Sequence, residues 1–102
     1  MNKLIKTYLG FSIKSRAIVI GQDRLKDFND KVHLIVYCST ASQNLQDLIK
    51  RLAEKFKCKY ILLDDLQEYT SIDGCKVLGL TNKSLADAII KVMEDKGETD
   101  GK

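Results

Sequence analysis

The chain is poor in metal-binding and nucleophilic side chains. It has one histidine, His33, and three widely spaced cysteines, Cys38, Cys58 and Cys75. No two cysteines form a C-x-x-C pair, whereas a structural zinc site takes four Cys/His ligands in paired short spacings. No metal site follows, and buried, reduced thiols are the expectation. A Cys38–His33 catalytic pair is rejected on spacing, because an odd separation within one expected strand puts the two side chains on opposite faces. There is no G-x-G-x-x-G, and Gly21 lacks the second glycine and Lys-Ser/Thr of a P-loop. The longest apolar runs, Ala17–Ile20 and Leu34–Cys38, are far too short to cross a bilayer. No basic start with a long apolar core and small-residue cleavage site marks a secretory leader. A cytoplasmic location and no membrane partner are therefore expected.

Acid is missing in places too. Residues 1–20 hold Lys3, Lys6, Lys14 and Arg16 with no Asp or Glu. Residues 50–59 hold Lys50, Arg51, Lys55, Lys57 and Lys59 against Glu54 alone. Acids collect instead at Asp64, Asp65, Glu68 and Asp73. The net charge of +3 says little, but its uneven distribution raises a phosphate-facing surface beside the plain solvated face. With 102 residues, 44% hydrophobic and 30% charged, the chain is sized and composed for one soluble domain with a single core.

What is present alternates between two periodicities. Leu4, Ile5, Tyr8 and Leu9 at helical spacing predict an opening helix. Ala17–Ile20 reads as a short buried strand, followed by a helix-compatible run from Gln22 to about Phe28 with Leu25 and Phe28 inward. Leu34–Tyr37 is an uninterrupted apolar strand of the kind parallel sheets use. Leu45, Leu48, Ile49, Leu52 and Phe56 form one apolar stripe, and Ser42 or a neighbouring Ser/Thr is the expected cap. Tyr60–Leu63 is a third strand, and "DDLQEYTSIDG" a short helical turn with a loop. Val77–Leu80 is a fourth strand, interrupted by Gly79. Thr81 or Asn82 would cap a last helix carrying Leu85, Ala88, Ile89, Val92 and Met93. The order αβαβαβ(α)βα predicts an α/β fold, a three-layer αβα sandwich on a four-stranded mixed sheet. Residues 1–95 form its single domain, and residues 96–102, without an apolar side chain, a disordered tail.

No catalytic constellation emerges. Asp64 and Asp65 are adjacent and read as a solvated strand end, while Ser39, Thr40 and Ser42 have no base beside them. The exception in kind is "IVIGQDRLKDFND", residues 18–30, where a strand meets Gly21 and turns at once into a helical segment. Such junctions present unpaired backbone N–H groups that favour anions. Gly21 is thus either the lip of a nucleic-acid site or a simple turn.

Three quoted runs resemble the kink-turn RNA-binding ribosomal protein family of the L-seven-Ae and L-thirty-e type, nearest its small bacterial YlxQ-like members. Leu9-Gly10-Phe11 through Ile20-Gly21 matches the family's "LLGLARRAGKLVSG". "LIVYCSTAS", Leu34–Ser42, matches "LVLLAEDAS", and "LGLTNKSLADAI", Leu78–Ile89, matches "VAITDKGFAKAI". The resemblance covers roughly residues 1–94. It implies the αβα sandwich and binding of kink-turn or related structured RNA. The implied grip is the start of the second helix, roughly G-x-N-E-x-x-K, plus the loops after the second strand and before the fourth.

Carried over by position, Gly21 matches the glycine, Asp23 falls at the Asn, Arg24 at the Glu and Asp27 at the Lys. A carboxylate has no proton to offer guanine O6 or N7 and repels phosphate, whereas a guanidinium reaches both acceptors. "CSTAS" keeps Ala41-Ser42 without the usual acid and proline, and "EYTSIDGCK" has Thr70 where glycine is common. The expected RNA site therefore comprises Gly21, Gln22 and Arg24 with Thr40, Ala41, Ile72, Asp73 and Gly74 beside them. Lys14, Arg16, Lys26, Lys31 and Lys76 are the expected phosphate contacts. For lack of any assembled nucleophile, base or metal set, no enzyme activity, cofactor or metal is expected, and a monomer is expected. The alternative is a protein-interaction module on the same fold that has lost kink-turn recognition. Asp23 and Asp27 favour it, and the basic Lys50–Lys59 region would then meet an acidic partner.

Overall fold

The structure, a computed structural model, describes residues 2–100, with side-chain environments through Glu94. Of the expected disordered segment 96–102, residues 96–100 belong to the backbone of α5 and residues 101–102 lie outside the described residues. The elements are α1 (Lys3–Lys14), β1 (Ile18–Ile20), α2 (Gln22–Asp27), β2 (Leu34–Cys38), α3 (Gln43–Phe56), β3 (Lys59–Leu63), α4 (Leu66–Thr70), β4 (Val77–Leu80) and α5 (Lys83–Asp100). The sheet order is β1-β4-β2-β3. β2 and β3 run parallel, as a helical crossover through α3 requires, and β4 is antiparallel to both β1 and β2.

Alternation along the strands builds two cores, one on each face of the sheet. Leu34, Val36 and Cys38 of β2, with Leu78 and Leu80 of β4, face Ile5 and Leu9 of α1, Leu66 and Tyr69 of α4, and Ala86 and Ile89 of α5. Val19, Ile35 and Val77 face the other way, onto Leu25 of α2 and Ile49, Leu52 and Ala53 of α3. The expected α/β sandwich, with its mixed four-stranded sheet, is the observed one. No helix of the described residues is long and apolar enough to cross a membrane.

Several local expectations are sharpened. The Ser42 side chain caps α3 by accepting from the Leu45 N–H at 3.2 Å, and Asn82 Oδ1 accepts from the Leu85 N–H at 3.0 Å. In α1 the inward stripe is Ile5, Leu9 and Ser12. Leu4 is instead 54% exposed, because it lies at the edge of that stripe. Gly79 belongs inside β4. A Cβ there would stand 2.7 Å from Leu25 Cδ2 and 3.0 Å from Val32 Cγ1, so the absent side chain is what lets α2 seat on the sheet. Asp64 and Asp65 lie in an exposed turn just past the end of β3, the solvated strand end expected of them. Cys38 and Cys75 are buried free thiols, whereas Cys58 is only half-buried.

Candidate nucleic-acid interface

Strand directions decide which loops meet. β1, β2 and β3 finish, and β4 starts, at the same end of the sheet. That end gathers Gly21, the 39–42 turn and the 71–76 loop. Gly21 has φ 95° and ψ 151°, a backbone region that side-chain-bearing residues avoid. Its N–H donates to the Val77 carbonyl at 3.0 Å, stitching the β1–α2 junction to the start of β4. No side chain caps α2.

The 71–76 loop is held by its own bonds. Gly74, at φ 73°, donates its N–H to Gln67 Oε1 at 2.9 Å, and the Ile72 N–H donates to Thr70 Oγ1 at 3.2 Å. Next to it, Lys76 Nζ donates to the Thr40 hydroxyl, which donates to Cys38 Sγ at 3.2 Å. The Cys38 N–H in turn donates to the Lys76 carbonyl at 2.8 Å. Burial pushes the Cys38 thiol up, but the Thr40 hydroxyl, the Thr40 and Leu66 backbone and the Lys76 charge outweigh it and hold its pKa below the usual thiol value. Ala41 is buried, and its carbonyl accepts from Gln46 Nε2 at 3.0 Å.

A cleft of about 470 Å³ joins the Gly21 junction and the 71–76 loop, bounded by Gly21, Gln22, Asp23 and Arg24 on one side and Ile72, Asp73, Gly74 and Lys76 on the other, while Thr40 and Ala41 lie outside its lining. Two grooves of about 520 and 550 Å³ lie elsewhere, along β3, and contain none of these residues. The charged lining of the cleft is balanced, Asp23 and Asp73 against Arg24 and Lys76. The exposed Asp64, Asp65 and Glu68 stand at the same end of the sheet.

The other expected residues are not brought to the cleft. Lys14, Arg16 and Lys31 are exposed at the opposite end, where the Thr81 N–H donates to the Ala17 carbonyl at 3.0 Å and the His33 N–H to the Leu80 carbonyl at 2.8 Å. Lys57 and Lys59, at the start of β3, share that end. Lys26 is exposed on the last turn of α2, away from Gly21, and its carbonyl accepts from Lys55 Nζ at 2.9 Å. Two features went unread in the sequence. Lys76 is tied to Thr40, and Gln67 clamps Gly74. Both link residues apart in sequence, and only the polar character of each residue was visible beforehand. Among the described residues no group of His, Cys, Asp and Glu is placed to hold a metal ion.

No protein-family model matches the chain, and no curated protein matches it. Among solved structures, a protein of unknown function from Bacillus halodurans is similar in fold, with a TM-score of 0.77 at 12% identity, over 92% of this chain and 99% of that one. At that identity the likeness speaks for the fold alone.

Proposed function

We propose that this protein binds structured RNA of the kink-turn kind, without catalysis, in the cytoplasm. The observation that carries this reading is the convergence of Gly21–Arg24 and Ile72–Lys76 on one cleft, with Thr40 tied to Lys76 at its side. These are the segments through which the resembled family grips RNA. Gly21 offers a backbone without a Cβ in the way, with open space where one would stand. Arg24 is exposed, and its guanidinium can reach guanine O6 and N7 together, a contact worth about 1–3 kcal/mol of discrimination. Such recognition selects a bent RNA by shape and a few base-edge contacts, with no turnover.

The test is a titration against a labelled kink-turn RNA and a straight duplex of equal length at two salt concentrations, with Arg24→Ala alongside. Preference for the kink-turn that is lost in Arg24→Ala is the expected result. Weak, equal binding to both RNAs that vanishes with salt overturns it. One observation favours the second reading, a protein-interaction module. The cleft's charges cancel, and a phosphate-binding surface is ordinarily net positive. That reading predicts no RNA preference at either salt.

A further inference from the structure

The sheet has an unfinished edge. β3 ends the order β1-β4-β2-β3 and among the described residues pairs with β2 alone, so one row of its backbone N–H and C=O groups has no strand partner there. Edge strands are usually blunted by shortness or charge, yet β3 presents large apolar side chains: Tyr60 is 41% and Leu62 46% exposed. They lie on the α3 face, where the Tyr60 ring tilts against Tyr37 at 6.1 Å. On the other face the edge continues into a groove of about 520 Å³ floored by Ile61, Ile90 and Met93.

We propose that two copies of this chain pair their β3 edges antiparallel about a two-fold axis at Ile61, joining two four-stranded sheets into one of eight. The occupant is named by the strand itself. In a two-fold antiparallel pair centred on Ile61, Tyr60 of each copy lies opposite Leu62 of the other, on the same face, so each exposed apolar side chain covers another. Lys59 falls opposite Leu63, its ammonium already engaged by its own Glu94 at 3.0 Å and its apolar stem free to pack. Charge then selects this orientation over a parallel one. The start of β3 is basic, with Lys57 and Lys59, and its finish is acidic, with Asp64, Asp65 and Glu68. Antiparallel pairing brings the Lys57 turn that leads into one β3 to the same end as the Asp64-Asp65 turn that leaves the other, and does so twice, whereas parallel pairing would bring like charge to like. An unrelated extended peptide would have to reproduce both the alternation and the charge order that a second copy carries by construction. This surface is separate from the Gly21 cleft.

The experiment is sedimentation velocity of the full chain from low micromolar to millimolar protein, on the parent, Leu62→Lys, Lys57→Glu and Asp65→Lys. The parent should shift from monomer to dimer with concentration, and added salt should weaken the association. Leu62→Lys, at an exposed position, should remain monomeric. Lys57→Glu and Asp65→Lys should each associate at least tenfold more weakly alone. Mixed one to one they should recover the parent's association, since the mixed pair restores two opposite-charge contacts. A parent that stays monomeric throughout overturns the proposal. So does Leu62→Lys associating like the parent, or a mixture no tighter than its separate components.

Discussion

At the scale of single residues, Gly79 and Cys58 carry consequences that their immediate neighbours in sequence do not announce. Gly79 sits where α2 comes down on the sheet, with Leu25 and Val32 occupying the space of its missing side chain. Gly79→Ala should therefore destabilise by about 1–3 kcal/mol through overpacking, read as a lower denaturant midpoint. In a Leu25→Ala background the same change should cost much less, because Leu25 Cδ2 is the nearest atom it meets. Cys58 behaves differently. Burial pushes its thiol up from 9.0 to about 11. Between those values the unfolded chain has released the proton and the folded chain still holds it, so stability falls as pH rises through this window. Urea midpoints measured from pH 8 to 11 should fall less steeply in Cys58→Ala than in the parent.

At the scale of elements, α3 and α2 make a contrast. The apolar stripe and the Ser42 cap of α3 were both legible in the sequence, since each depends on residues within one or two turns. Ser42→Ala should cost about 1 kcal/mol by leaving the Leu45 N–H without its acceptor, measured by thermal or denaturant melting. The six-residue α2 is far too short to hold itself and depends on contacts from elsewhere. Leu25 is fully buried, and Lys55 of α3 reaches across to the Lys26 and Phe28 carbonyls at 2.9 and 3.1 Å. In sequence Lys55 was one more cation in a basic run, because a tether over 29 and 27 residues has no local signature. Lys55→Met should lose about 1 kcal/mol of stability. If Arg24 reads RNA from α2, the same variant should also bind the kink-turn less tightly, whereas Ser42→Ala should mainly affect stability.

At the scale of the whole molecule, the two ends of β3 differ in charge, while the Gly21 cleft mixes Arg24 and Lys76 with Asp23 and Asp73. Lys14, Arg16, Lys31, Lys57 and Lys59 gather where β1, β2 and β3 begin, and Asp23, Asp64, Asp65, Glu68 and Asp73 where they end. Read along the chain, Lys14, Arg16, Lys26, Lys31 and Lys76 are the phosphate contacts expected around the Gly21 junction. Folded, three of the five expected phosphate contacts stand at the far end of the sheet from the cleft. If the cleft binds a kink-turn as proposed, replacing Lys14, Arg16 and Lys31 together by Ala should leave that affinity and its salt slope unchanged. Lys76→Ala should weaken binding, by removing the bond that holds the Thr40 turn beside the cleft. The opposed ends also favour a second copy laid antiparallel along β3, where each basic end meets an acidic one.

The sequence by itself determined the elements and their layers. Hydrophobic periodicity and capping are local properties, and alternating strand and helix patterns leave few ways to cover a sheet on both faces. It also placed Gly21, Thr40–Ala41 and Ile72–Gly74 in loops, since glycine and small polar residues mark the turns. Only the tertiary structure decided which loops share an end of the sheet, that Lys76 bonds Thr40, that Gly79 is a seat for Leu25, and that β3 lies at the edge of the sheet. Those outcomes follow from strand order and direction, which bring together residues tens of positions apart and have no counterpart in any single stretch of the chain.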